Sequence, residues 1–386
     1  MARMLATGSG VVLELIRSGE ATTRTDLIEH LGWSRVTLAR RLDELSEAGF
    51  IVSAGQLDSR GGRPPQEFAV NKDAGLLLAM DIGSSHTRVG ITDLISNVLL
   101  EDEADIGLFD GPDEIFSWAR QVFDFLLRKL EKNMSEVRGI GIGVPGPVDA
   151  ENGRLGSPQL DPRWDNVRVA DYLESFDAVI AVDRDVNILA VGESRLGWPE
   201  YQDLVVVKAG IGVGCAYVLD GRIYRGARGG AGQLSAPLRN RLSEPLHRLE
   251  TVASGATIRD SLTTSVRTSA DIVTLANSGD KEALGLLSEV GEIIGYTIAD
   301  VVGLLNPAAV VIGGNLAAAG EPFIGAIRRA IFSASHPFPR QALVVERSRL
   351  GNKAGVRGAS LLAQDALFES DRVSRITRKL PKTSTN

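Results

Sequence analysis

The chain has 386 residues, 44% of them apolar and 24% charged, with a net charge of −7. That balance excludes a disordered or collagen-like chain, and the length suits two or three domains. A single cysteine, Cys215, excludes an internal disulfide, no apolar run approaches the ~20 residues of a membrane span, and the acidic balance leaves any DNA binding to a local basic face.

The N-terminus carries no basic segment followed by an apolar core, so a reduced cytoplasm is the expected location. Residues 10–18 place Val11, Val12, Leu15 and Ile16 at helical spacing. Thr23 and Asp26 form an N-cap pair for a second helix with Leu27, Ile28 and Leu31. Gly32-Trp33-Ser34 is a tight turn ending in a capping serine. The third helix puts Leu38, Leu42 and Leu45 on one face and stops at Gly49. Two short strands, 50–52 and 68–70, flank a loop containing Arg60-Gly61-Gly62-Arg63-Pro64-Pro65. Helix, helix, turn, helix and two-stranded wing make the winged helix-turn-helix pattern over residues 1–72.

With the leucines inward, Arg35, Thr37, Arg40 and Arg41 point outward near the start of the third helix, where side chains reach major-groove base edges. Ser34 at the cap suits a phosphate contact. Arg60 and Arg63, flanked by glycine and proline, suit a narrow minor groove. Residues 1–72 hold nine basic and nine acidic side chains, so clustering rather than net charge must supply the field.

From residue 75 the texture changes to buried strands alternating with helices. Strands are expected at 76–82, 88–94, 139–144, 179–182, 204–208 and 310–312, with helices at 115–130 and 281–305. Strands ending in glycine or aspartate, with helices between them, imply an α/β fold whose site lies at the carboxyl ends. Its first lobe is placed at 75–200. A second lobe runs over 201–370, with the last helix returning to the first. Residues 371–386, rich in arginine, lysine, serine and threonine, read as a disordered basic tail.

Within the α/β part, Asp81-Ile82-Gly83-Ser84-Ser85 and Gly210-Ile211-Gly212-Val213-Gly214 have the small residues and open N–H groups of phosphate loops. Asp185 has the placement of a general base toward a hydroxyl. Each alone equally suits a packing device or a helix cap. Their order along the chain is more specific than the parts.

That order, behind this N-terminal pattern, resembles the ROK family of sugar-responsive repressors and sugar kinases, nearly to residue 368. Gly49-Phe50-Ile51 followed by Gly61-Gly62-Arg63-Pro64-Pro65 resembles the wing of the repressors. Asp81-Ile82-Gly83-Ser84-Ser85 is similar to the Asp-Ile-Gly-Gly-Thr phosphate motif. Gly143-Val144-Pro145-Gly146-Pro147-Val148-Asp149 is similar to the Val-Pro-Gly-Pro turn. Val182-Asp183-Arg184-Asp185-Val186-Asn187 puts the family's catalytic base at Asp185. Leu219-Asp220-Gly221-Arg222-Ile223-Tyr224-Arg225-Gly226-Ala227 is a further close match. Asn306-Pro307 with Val311-Ile312-Gly313-Gly314 resembles the kinases' adenosine region. The resemblance implies an actin-like, two-lobed ATPase-type architecture.

The departures carry information. The Glu-x-Gly-His sugar motif aligns with Gln233-Leu234-Ser235-Ala236, so its carboxylate and histidine are gone. The three cysteines of the family's zinc cluster are missing from 237–248, and His247 alone remains, so no metal is expected. Leu249-Glu250 keeps the glutamate that touches sugar. Arg184 replaces an asparagine, and Ile211 replaces the threonine of the second phosphate loop. Asp185 is left to pair with Arg184 or another cation.

The resemblance therefore implies a transcriptional regulator of the repressor type rather than an enzyme. Its expected partners are a double-stranded DNA operator and a second copy, as homodimer or dimer of dimers. A sugar or sugar-phosphate effector is expected at Asp185, Arg184, Gln233 and Glu250, with Arg184 favouring an anion. No cofactor is expected, and Gly83, Ser84, Ser85, Gly210 and Gly212 would be vestiges of phosphate loops. The rival is an ATP-dependent, glucokinase-like sugar kinase with an accessory DNA-binding domain.

Overall fold

In a computed structural model, the described residues are 8–56, 66–149, 153–156, 161–234 and 248–379. Helix α1 (Ser9–Ser18) buries Val12, Leu13, Leu15 and Ile16 and stops at Gly19, whose φ of 75° is the left-handed cap glycine tolerates best. In α2 (Arg24–Leu31) Thr23 and Asp26 cap each other: the Asp26 N–H donates to Thr23 Oγ1 at 3.3 Å, and the Thr23 N–H donates to Asp26 Oδ2 at 3.2 Å. Ser34 caps α3 (Arg35–Glu47) by accepting from the Thr37 N–H at 3.1 Å. Leu38, Leu42 and Leu45 are fully buried, each contributing about 1.5–3 kcal/mol. The antiparallel pair β1 (Ile51–Gln56) and β2 (Gln66–Val70) follows.

Among the described residues that follow, the strands form two five-stranded sheets. The first is built from β3 (Leu76–Ile82), β4 (Thr87–Asp93), β5 (Val98–Ala104), β6 (Val137–Val144) and β7 (Val179–Arg184), in the order β5-β4-β3-β6-β7. The second is built from β8 (Leu204–Ala209), β9 (Val213–Leu219), β10 (Arg222–Tyr224), β11 (Ala309–Gly313) and β12 (Val344–Arg347), in the order β10-β9-β8-β11-β12. Both sheets place an antiparallel pair beside three parallel strands in the same succession. This duplication leaves no readable sequence repeat, because burial on both faces specifies apolarity and not identity.

The first sheet packs on α4 (Pro112–Lys129), and α5 (Asp185–Gly192) follows it. The second sheet carries α6 (Leu249–Val252), α7 (Gly255–Ser261), α8 (Ser269–Asn277), α9 (Lys281–Leu305), α10 (Glu321–Ala334) and α11 (Pro337–Arg340). Then α12 (Ala354–Leu367) crosses back to pack on β3, β6, β7 and α5. A Cβ on Gly358 would stand 1.7 Å from the Ile188 carbonyl, so only glycine lets α12 and α5 approach this closely.

Residues 371–379 are not the disordered tail that their basic composition suggests. Residues 370–379 form a helix, α13 (Ser370–Lys379), which lies along α1; 380–386 fall outside the described residues. Val373 is fully buried with Leu13, Leu45, Phe50 and Phe368 in one cluster. Gly10 N–H donates to Ser374 Oγ at 3.2 Å. The basic side chains hid a narrow apolar stripe, Val373 and Ile376, whose partner is supplied from the other end of the chain. A charged tie reinforces the contact: Asp365 of α12 accepts from Arg17 of α1 at 2.6 Å and from Arg195 at 2.7 Å. Burial opposes ionisation of Asp365, but the bond from Arg195 and the charges of Arg195 and Arg17 hold its carboxyl below the ordinary value.

Candidate functional site

The carboxyl ends of β3, β7 and β8 face one another across the two sheets and open onto a cavity of about 410 Å³. Gly83, Ser84, Ser85, Arg184, Asp185, Gly210, Gly212, Gln233 and Glu250 all line it. The cleft residues read from the sequence therefore meet in one place, although they span 168 positions of chain from 83 to 250. Only strand ends of a duplicated sheet bring them together.

At its centre lies a cation the sequence reading did not single out. Lys208 Nζ, on β8 of the second sheet, is 3.2 Å from Asp81 Oδ1 on β3 of the first and 3.0 Å from Asp185 Oδ2 at the start of α5. Burial opposes the ammonium charge, but the two carboxylates raise its pKa above the ordinary lysine value. Lys208 stays charged throughout the neutral range. The signal was available: it is the one lysine in the otherwise apolar run Leu204-Val205-Val206-Val207-Lys208-Ala209, and a buried strand lysine must be paired. The start of α12 presses on the same place, since a Cβ on Gly355 would lie 1.8 Å from Asp81 Oδ2.

Arg184 lines the cavity while anchored on backbone. Its side chain is buried, and Nη1 donates to the carbonyls of Ala231 and Cys215, the latter at 3.3 Å. Backbone carbonyls thus take up Nη1 of the guanidinium, and Asp185 pairs with Lys208, not with Arg184. Its neighbour Asp183 accepts from Asn187 Nδ2 at 2.6 Å and from Arg225 at 2.7 Å. Arg225 and Asp183 therefore fix the turn before α5, a pair missed because 42 residues separate them.

One N–H of each glycine loop is bonded within the loop itself. Gly83 N–H donates to the His86 carbonyl at 2.8 Å, and Gly210 N–H to the Gly212 carbonyl at 2.8 Å. Glu250 leans on the second loop, where a Cβ on Gly212 would stand 2.2 Å from Glu250 Oε1, and it accepts from the Val213 N–H. Burial, with the charge of Asp185, raises the Glu250 carboxyl above its ordinary value. Burial likewise lowers the His86 imidazole, leaving it neutral at pH 7, and pushes the Cys215 thiol up to about 12. Glu193, fully buried, accepts from the Leu350 N–H at 3.0 Å and from Ser348 Oγ, which holds the far wall of the cavity. Among the described residues no cluster of three His, Cys, Asp or Glu side chains is placed to hold a metal ion; His247 lies outside them.

Glu250→Gln keeps an acceptor for Val213 and removes the buried charge. A raised carboxyl pKa penalises the folded state above that pKa, and the penalty fades on acidification. The variant is thus expected to melt above the wild type at pH 8 and to converge with it toward pH 5. Thermal melts across that range measure this; parallel curves, or a variant that melts lower at pH 8, would contradict it.

On the N-terminal helices, Ser34, Arg35, Thr37 and Arg40 are exposed. Arg41 is not outward. Its side chain is 14% exposed and donates to Glu44 at 2.9 Å. One residue beyond Arg40 means a 100° turn about the helix, which brings it to the flank of the leucine face. Glu44 also accepts from Ser9 Oγ, and these bonds hold its carboxyl below the ordinary value against the opposing effect of burial. Arg60 and Arg63 lie outside the described residues. Among those that are described, no helix is long and apolar enough to cross a membrane.

A family model described as "ROK family" matches residues 77–366. A xylose repressor of Caldicellulosiruptor bescii is 27% identical over 372 residues, covering 90% of this chain and 93% of its own. An N-acetylglucosamine repressor of Escherichia coli O157:H7 is 25% identical, covering 93% of each. Among solved structures, a ROK family transcriptional regulator, a homolog of the E. coli MLC protein, has a TM-score of 0.77 at 22% identity. It covers 98% of this chain and 100% of its own. A ROK family glucokinase from Streptomyces griseus, solved with glucose and AMPPNP, has a TM-score of 0.63 at 22% identity, over 75% of this chain and 100% of its own. These likenesses establish the two-lobed α/β fold shared by ROK regulators and sugar kinases.

Proposed function

The chain belongs to the ROK family, and from that premise we propose that it is a sugar-responsive transcriptional repressor whose N-terminal winged helix-turn-helix reads a DNA operator. One observation carries the reading: coverage. The sugar repressors named above align over 90% or more of this chain. The glucokinase is used up after 75% of it, and the family match itself begins only at residue 77. The segment ahead of that match holds the helices carrying Ser34, Arg35, Thr37 and Arg40.

The effector is a sugar held in the cleft, where Asp185, Glu250 and Gln233 accept or donate bonds to hydroxyl groups. The charges favour a neutral sugar over a sugar phosphate. Lys208 is already neutralised by two carboxylates, Arg184 faces carbonyls, and Glu250 stands where a phosphate would meet the second glycine loop. The same three features oppose phosphoryl transfer, which needs free cations and hydroxyl anchors around the nucleotide. Operator binding is by a homodimer or a dimer of dimers, since identical helices read identical half-sites.

Footprinting of the full-length protein on its own upstream region tests the reading, with and without xylose, glucose, N-acetylglucosamine and their phosphates. A protected two-fold site released by one neutral sugar is the expected result. A sugar at 100 times its dissociation constant also adds about 2.7 kcal/mol to stability. ATP-dependent turnover of about 1 s⁻¹ on any of these sugars, abolished by Asp185→Asn, would overturn the non-enzymatic reading.

A further inference from the structure

We propose that Val36 reads the methyl group of a thymine, one base per half-site, beside the base edge contacted by Arg40. The inference rests on the DNA-reading role assigned above to α3 and names the base its apolar corner selects.

Val36 is 81% exposed. It lies in the first turn of α3, two residues from the buried Leu38, and so on the side opposite the core. A β-branched residue there favours the helix less than alanine would, and at this exposure it gains little packing in return. Its surroundings are not those of an ordinary solvated valine. Val36, Arg40, Asp43 and Glu47 follow one another at spacings of four, three and four, which places them on a single ridge of the helix.

Along that ridge the chemistry runs apolar, cationic, acidic, acidic. Only the first half can approach phosphate-lined DNA, and the carboxylates of Asp43 and Glu47 would repel it further along. The Arg40 side chain is 65% exposed and reaches back to Glu44 at 3.6 Å, a loose contact that frees it for a base. Ser34 Oγ and Thr37 Oγ1 lie 2.9 Å apart and cap the helix together. The leading surface of α3 is thus Arg35, Val36 and Arg40.

In the major groove the one apolar group a base presents is the C5 methyl of thymine. A valine suits it for a second reason: its χ1 is already restricted, so little rotamer freedom is lost on contact. With no donor or acceptor, it leaves the polar edge of cytosine unanswered. The preference it creates is thymine over cytosine and over uracil.

The test uses the full-length protein and duplex DNA. Sites are selected from a random duplex library with the wild type, Val36→Ala and Arg40→Ala in parallel, and the wild-type site is then resynthesised with deoxyuridine for each thymine in turn. The wild type should lose about four-fold in affinity per half-site at one position, the effect of uncovering one methyl group. Val36→Ala should bind the thymine and uracil sites equally, while keeping the Arg40-dependent preference and the salt dependence of non-specific binding. Val36→Ala with an undiminished thymine-to-uracil ratio, or a wild-type site with no thymine beside the Arg40-dependent base, overturns the proposal. It leaves the DNA-reading role of α3 standing. If the wild type selects no sequence, or Arg40→Ala selects the same one unchanged, that role falls and this inference with it.

Discussion

Lys208→Met is expected to destabilise the protein by about 3–5 kcal/mol, because removing one partner of a buried ion pair leaves uncompensated charge behind. Here two carboxylates, Asp81 and Asp185, lose their shared cation at once. The bridge also joins different structural units: Asp81 lies near the end of a strand of the first sheet, and Lys208 near the end of a strand of the second. The loss should therefore appear both as a lower urea midpoint and as increased proteolysis at the cleft. Adding Asp81→Asn and Asp185→Asn to Lys208→Met should recover much of the loss, since neutral groups need no counter-charge. An unfolding free energy within about 0.5 kcal/mol of the wild type, roughly the size of an ordinary surface substitution, would contradict the account. The wild-type contribution is constant through neutral pH. A lysine with a raised folded pKa keeps its full effect below the unfolded value and loses it only as pH climbs through the folded one.

Val373→Asp is expected to cost at least about 3 kcal/mol locally, by placing an unpaired charge in an apolar cluster. Val373 is completely buried with Leu13, Leu45 and Phe50, and the Phe50 and Phe368 rings meet edge to face at 5.9 Å. The damage should stay at this end of the molecule. Specific operator binding should be lost, because α1 and α3 share that cluster, while the two sheets should still melt cooperatively near the wild-type temperature. Gel-shift titration on the footprinted operator and circular-dichroism melts separate the two effects. Full operator affinity in this variant, or in a chain ending at Phe368, would show that α13 is dispensable.

The cleft and the N-terminal helices differ in how far the sequence reveals them. On α3 the leucine spacing and the Ser34 cap are local, so the helix, its inner face and most of its outer residues are legible from a dozen positions. Arg41 lies one step of 100° off the outward face, and the setting of the exposed Val36 shows only along its helix ridge. In the cleft the motifs predict which residues line the cavity, since turns and strand ends are encoded nearby. They do not predict how the charges pair. Arg184 and Asp185 are adjacent in sequence, yet Arg184 turns to the carbonyls of Cys215 and Ala231 while Asp185 takes Lys208.

By itself the sequence determined that this is an α/β chain of ROK type with a helical N-terminal segment and with Gln233, Ala236 and Asp185 at the positions its motifs occupy. Those properties depend on residue type and short spacing, which survive without knowing what lies across the fold. Only the tertiary structure decided that the two sheets repeat one topology, that Lys208 bridges them, that Glu250 rests on the Gly212 loop, and that residues 370–379 form a helix clasping α1. In each case the deciding partner is distant in sequence: 127 positions separate Asp81 from Lys208, and 364 separate Gly10 from Ser374. A charged or amphipathic segment is neutral information until its partner is known. Desolvation makes an unpaired charge or an uncovered apolar stripe too costly to keep, and which group answers it depends on the packing of the whole chain.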